Sequence, residues 1–125
     1  MPHTIKIDEN DSGVIITLTG IVRGDEIYVL NEKLMARPSF AQWRYQIWDF
    51  SDIEQFEASI DQLRDFAIQD TMAARINPKQ RIAIVPRRVS QSGLDRVFHI
   101  MEEVWGAYES KTFSDIDAAQ IWVSR

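Results

Sequence analysis

The stretch that most constrains the chain is residues 45–60, YQIWDFSDIEQFEASI. An apolar run of strand length, residues 44–50, passes into the acidic cluster Ser51-Asp52-Ile53-Glu54-Gln55. Helical spacing then runs from about Glu57 to Ile76. In the run, Tyr45, Ile47 and Asp49 face one way, and Arg44, Gln46, Trp48 and Phe50 face the other. Strand, turn and helix in that order make one unit of an α/β sheet. We expect this segment to be the middle strand, and the turn after it to be the most informative surface.

The flanking sequence repeats the alternation. Residues 5–8 and 14–20 are short β-branched runs separated by Glu9-Asn10-Asp11-Ser12-Gly13, a hairpin signal. In the second run Val14, Ile16 and Leu18 share one face, and Ile15, Thr17 and Thr19 the other. Gly20 is expected to end that strand. A helix should open at Arg23-Gly24-Asp25-Glu26, capped by Asp25 or Gly24, with Ile27, Leu30 and Leu34 inward. Arg37-Pro38 stops it, because the residue before proline is driven out of helical geometry. In the long helix, Phe56, Ile60, Leu63, Ala67, Thr71 and Ala74 form the expected core stripe, and Asn77-Pro78 ends it.

Residues 81–86, RIAIVP, are apolar on both faces, as an interior strand requires. A loop over 87–93 leads into a helix with the cleanest stripe in the chain: Leu94, Val97, Phe98, Met101, Val104, Trp105 and Tyr108. A short strand at 111–113 and a helix at 115–123 follow, with Asp115 or Ser114 as cap and Ala118, Ala119 and Trp122 inward. The order ββαβαβαβα predicts a five-stranded mixed, mostly parallel sheet with the hairpin at one edge. Right-handed crossovers between adjacent strands place the helices mainly on one face and leave the other open.

Composition narrows the function classes. The chain has 125 residues, 45% of them hydrophobic and 26% charged, as expected of one globular domain. Its net charge of −5 speaks against nucleic acid, which needs a basic face. With no cysteine there is no disulfide framework and no thiolate metal site. The N-terminal residues lack the pattern of a secretory signal, and no apolar run is long enough to span a membrane. A cytoplasmic setting is expected.

The whole pattern resembles the STAS domains, the group that includes the SpoIIAA-type anti-sigma factor antagonists, and is closer still to the broader SpoIIAA-like proteins. The resemblance rests on the glycine-ended strand 14–20, Asp49-Phe50-Ser51-Asp52-Ile53, the strand 81–85, and the ending Phe113-Ser114-Asp115 with Ala119-Gln120-Ile121-Trp122-Val123. It implies a SpoIIAA-like α/β fold and a non-catalytic regulatory role. In the antagonists, Asp-Ser-Ser-Gly or a close relative follows the third strand, and one hydroxyl there accepts a phosphate. Counting from Asp49, those positions fall here on Glu57-Ala58-Ser59-Ile60. Free N–H groups at a helix start favour phosphate, but Glu54 and Glu57 oppose it and Ile60 crowds it. Ser59 is therefore expected to be an ordinary helix-start residue rather than a phospho-acceptor.

Open α/β sheets bind ligands at the carboxyl ends of their strands. That end should collect Arg23, Asp52, Glu54, Arg87, Arg88, Ser90 and Ser92, a candidate site for an anionic ligand; the plain reading is loop arginines pairing with Asp52 or Glu54. The nucleotide-binding glycine spacings are absent. His3 and His99 have no partner at the spacing of a metal site or a nucleophile–base pair. No cofactor or metal is expected. The favoured function is a binding or regulatory module acting through a protein partner or a small anionic or hydrophobic ligand; the alternative is a small enzyme with its site at the strand ends. An open sheet face carrying Ile15, Tyr45 and Trp48, rimmed by Thr17, Thr19, Arg44 and Gln46, would further suggest a homodimer.

Overall fold

The computed structural model describes residues 3–8, 10–87 and 108–125. Its sheet has five strands in sequence order: β1 (His3–Ile7), β2 (Gly13–Arg23), β3 (Tyr45–Glu57), β4 (Arg81–Val85) and β5 (Glu109–Thr112). β1 and β2 pair antiparallel and every later pair is parallel, so the hairpin lies at one edge and β3 at the centre. The described helices are α1 (Gly24–Met35), a 3-10 turn (Pro38–Gln42), α2 (Ile60–Ile76) and α3 (Ile116–Val123). The expected helix carrying Leu94, Val97, Phe98, Met101, Val104 and Trp105 lies outside the described residues, as do Arg88, Ser90, Ser92 and His99.

The layers follow from strand parity. Val14, Ile16 and Leu18 of β2, Trp48 and Phe50 of β3, and Ile82 and Ile84 of β4 share one core. Against them α1 places Ile27, Leu30 and Leu34, and α2 places Leu63, Phe66 and Ala73. The opposite face carries Ile15, Tyr45, Ile47, Ala83 and Val85, and α3 packs on it through Ala119, Ile116, Trp122 and Val123. Asp115 caps α3, its carboxylate accepting from the Ala118 N–H at 2.8 Å. The second face is therefore covered by a crossing helix, and the expectation of a bare apolar face is corrected.

Trp48 also changes sides relative to expectation. In the register Ile16 pairs with Trp48 and Thr17 with Asp49, so the indole joins the helix-covered core, not the threonine face. It is fully buried, and its Nε1–H donates to Gln46 at 2.9 Å. What remains beyond α3 on the second face is largely polar: Thr4, Lys6, Thr17 and Thr19.

Two strand boundaries differ from the sequence reading. Gly20 does not end β2; it adopts φ 71°, a left-handed conformation that glycine takes at little cost, and the strand continues to Arg23. This gives the acidic cluster after Phe50 a partner, so residues 51–57 are strand and not turn: Thr19 pairs with Asp52, Gly20 with Ile53 and Arg23 with Glu57. Two register shifts each place one extra residue in β3, which is why Phe50, Ile53 and Phe56 are buried at a spacing of three rather than two.

The α2 stripe is also shifted. Its buried residues are Leu63, Phe66, Gln69, Asp70 and Ala73, whereas Ile60 is 68% exposed and Thr71 is exposed. Phe56 belongs to the strand, so a helical count begun there runs onto the wrong face. The inward face also carries polar Gln69 and Asp70, which a hydropathy pattern passes over. Gln69 bridges the helices, accepting from Asn31 Nδ2 at 3.0 Å and donating to the Tyr28 carbonyl at 2.9 Å.

Candidate functional site

At the carboxyl ends of the strands, β2 leads directly into α1, and α2 begins two residues beyond β3. Arg23 closes β2, and its guanidinium lies 3.6 Å from Glu57 at the end of β3, both side chains well exposed. An exposed pair of this kind contributes under about 1 kcal/mol. Gly24 follows at the start of α1, where a Cβ would stand 3.0 Å from that of Ala58 and 2.8 Å from the Gln62 Oε1. Glycine thus lets the two helix starts approach. α1 has no side-chain cap: its N-cap position is Arg23, and Asp25 lies in its first turn, so the expected capping by Asp25 or Gly24 is corrected.

Ser59 caps α2. Its Oγ accepts from the Gln62 N–H at 3.1 Å, and Gln62 Oε1 accepts from the Ser59 N–H at 2.9 Å, a reciprocal capping box. Asp52 and Glu54 are exposed on β3, and Arg87 is half-buried after β4. Among the described residues no ion pair joins Arg87 to Asp52 or Glu54, and Arg23 pairs with Glu57 instead of either. No group of three or more His, Asp or Glu side chains among the described residues converges to hold a metal. No described helix is long and apolar enough to cross a membrane.

Beside this end lies an open hollow of about 500 Å³ between α1 and α2, lined by Gly24, Asp25, Tyr28, Val29, Gln62, Asp65 and Ile68. Its apolar wall continues along α2: Ile68 is 64% exposed, Met72 57% and Ile76 51%, at i, i+4 and i+8, with Val29 at 50% across the hollow. These residues escaped the sequence reading because the stripe was assigned to the wrong side of α2. Their i+4 spacing is visible in the sequence; what hid them is that polar Gln69 and Asp70 occupy the inward face.

Beneath the outer layer Asp70 is 2% exposed, and its Oδ2 has no hydrogen-bond partner. Burial pushes its pKa up to about 8, so the carboxyl is predominantly protonated at neutral pH. The buried Tyr108 hydroxyl is likewise unpartnered, and burial, reinforced by Asp70, drives its pKa upward. Neither group reaches the surface, so this pair belongs to the core.

A larger groove, about 980 Å³, lies at the opposite, amino end of β3 and β4. Its walls are the β1–β2 turn, the 3-10 turn, and the ends of α2 and α3. Asn77, the buried C-cap of α2, donates to the Phe40 carbonyl at 2.8 Å and the Trp43 carbonyl at 2.6 Å. Trp43 donates to Asp11 at 3.1 Å. Asp8 accepts from the N–H groups of Asn10 and Ser12, the Ser12 hydroxyl at 2.7 Å and the Tyr45 hydroxyl at 3.2 Å. The Ser12 N–H and hydroxyl hold the Asp8 carboxyl below its usual range, and burial followed by the Asp8 charge raises Tyr45 to about 12.

No protein-family profile matches the sequence, and no curated protein shows a significant match to it. Solved structures do match in fold. The anti-sigma factor antagonist SpoIIAA in its unphosphorylated form aligns over 99% of this chain and 98% of its own, with TM-score 0.61 and 11% identity. An uncharacterised protein of Shewanella loihica with a SpoIIAA-like fold aligns over 98% and 92%, with TM-score 0.57 and 14% identity. The Bacillus cell fate determinant SpoIIAA in its phosphorylated form aligns over 97% and 99%, with TM-score 0.53 and 12% identity. At such identities the likeness establishes the fold alone: a five-stranded α/β sheet with a SpoIIAA-like fold.

Proposed function

We propose that this chain, with its SpoIIAA-like fold, is a non-catalytic binding module that regulates through a protein partner docked on the α1–α2 face. The observation that carries this reading is the apolar row Ile68, Met72 and Ile76 along α2, which begins at the hollow that Ile68 shares with Val29; all four are half-exposed or more. Scattered surface apolar residues are ordinary, but a row along one helix beside a hollow is the form of a contact surface. Asp25 and Asp65 line the hollow, so the fitting partner presents apolar side chains ringed by basic ones. Arg23 and Glu57, beside the two helix starts, supply a polar rim. A structural neighbour is named as an anti-sigma factor antagonist, which supports a role through protein partners.

Ser59 serves this surface as a helix cap and not as a phosphate acceptor, since its Oγ already accepts from Gln62 in the capping box. Intact-mass measurement after incubation with an anti-sigma-type kinase and ATP tests this; a stoichiometric phosphate on Ser59 would reverse it. The homodimer expected from the sequence rested on a bare apolar face; α3 packs on that face, which supports a monomer as the proposed state. Sedimentation at micromolar concentration decides between a species near 14.5 kDa and one of twice that mass.

The docking reading is tested by capture on immobilised chain and on an Ile68→Asp/Met72→Asp variant, with reconstitution from the purified partner. A partner retained by the first and lost by the second is expected. Equal binding to both would refute the assignment of the α1–α2 face.

A further inference from the structure

The groove at the amino ends of β3 and β4 differs in chemistry from the α1–α2 face and lies at the other end of the sheet. It gathers Arg44, Lys79, Arg81 and Arg125 in a chain whose net charge is −5. Among the described residues the only side-chain carboxylate lining it is Asp8, and four hydrogen bonds from Asn10, Ser12 and Tyr45 already engage that group. Arg81 is tied at the rim: its Nε lies 3.2 Å from Glu109, and its Nη1 donates to the Trp122 carbonyl at 2.9 Å and the Arg125 carbonyl at 3.2 Å. It also stacks on the Trp122 ring at 5.3 Å. Among the described residues, Arg44 and Lys79 make no ion pair.

Glu109 offsets the charge of Arg81, but Arg44 and Lys79 have no ion-pair partner among the described residues. Like charges in one groove repel, and an anion between them removes that repulsion. The backbone around them is already fixed. Arg44 donates its N–H to the Ser12 carbonyl and accepts from the Arg81 N–H at 2.9 Å. The Lys79 N–H donates to Asn77 Oδ1 at 3.2 Å, and Asn77 itself is pinned to Phe40 and Trp43. A ligand therefore need order only side-chain ends, which keeps the entropic cost of binding small. The groove is of the size that small molecules occupy and far larger than one phosphate needs.

We infer that this groove is a second binding site, for a small multivalent anion whose phosphate or carboxylate groups span Arg44, Lys79 and Arg81. Binding is electrostatic and weakens as ionic strength rises. Phosphate esters and polycarboxylates share this chemistry, and two probes separate them: inorganic pyrophosphate and citrate, each titrated calorimetrically into the full chain at low salt. Binding of either at submillimolar concentration is expected, and the one that binds more tightly names the class. The variant Arg44→Ala/Lys79→Ala removes two exposed side chains and leaves their backbone hydrogen bonds in place; it should weaken binding at least tenfold. Arg23→Ala, at the far end of the sheet, should leave it unchanged. The inference is overturned if neither probe binds, if the double variant binds as the parent does, or if Arg23→Ala weakens binding as much as the double variant.

Discussion

Substituting Asp70 by asparagine keeps the shape of the side chain and removes its ionisation. The carboxyl is buried within α2, one of its oxygens has no partner, and its pKa is raised from 3.8 to about 8. In the unfolded chain the group ionises at its ordinary value, so between about pH 4 and pH 8 the folded state holds a proton that the unfolded state has released. Stability then falls as pH rises through that window, is fully present below it, and is lost once pH passes the folded value. Each pKa unit corresponds to about 1.4 kcal/mol, so the cost at neutral pH reaches up to about 4 kcal/mol. Asp70→Asn should therefore be more stable than the parent by up to about 4 kcal/mol at neutral pH and nearly equal to it near pH 4. Asp8 does not blur the comparison. Its pKa is lowered from 3.8, so the stability it confers is lost only on acidification below the window. Urea denaturation of both proteins across the window reads the difference directly. A parent–variant difference independent of pH would refute the burial of an unpaired carboxyl at this position.

Three further substitutions test the packing. Asn77→Ala leaves the Phe40 and Trp43 carbonyls without their donor and should cost about 2–3 kcal/mol in chemical denaturation, whereas a loss below about 0.5 kcal/mol would mean the groove wall is not tied there. Phe66→Ala should cost about 3–5 kcal/mol and Ile60→Ala under about 0.5 kcal/mol; the reverse order would restore the helix face read from the sequence. Ser59→Ala should cost about 1 kcal/mol by opening the capping box, read in the same assay, and an unchanged midpoint would show that the cap contributes nothing.

The sheet was legible because its signals are local. Alternation in β2, the two-sided apolar run of β4 and the breakers Pro38 and Pro78 give element type and order, and short right-handed connections give the strand order. The first core stripe, Ile27, Leu30 and Leu34, is buried as its spacing predicts. What escaped depends on partners distant in sequence. The strand character of residues 51–57 comes from β2 continuing past Gly20, and nothing within the acidic cluster announces it. The inward turn of Gln69 rests on Asn31, 38 residues away. The crossing of α3 to the second face depends on where the last strand delivers the chain, which periodicity does not encode. Of the candidate site, Arg23 lies at the end of β2 and pairs with Glu57, while among the described residues Arg87 makes no ion pair with Asp52 or Glu54. The basic groove was missed although Arg44 and Arg81 flank two strand starts, because the reading looked only to the carboxyl ends.

The claim that the α1–α2 face is the working surface is tested most directly by hydrogen–deuterium exchange of the chain alone and in complex with its purified partner. Slowed exchange concentrated in Gly24–Met35 and Ile60–Ile76 is the predicted result. Protection confined to the strand starts at Tyr45 and Arg81, with α1 and α2 unchanged, would contradict it.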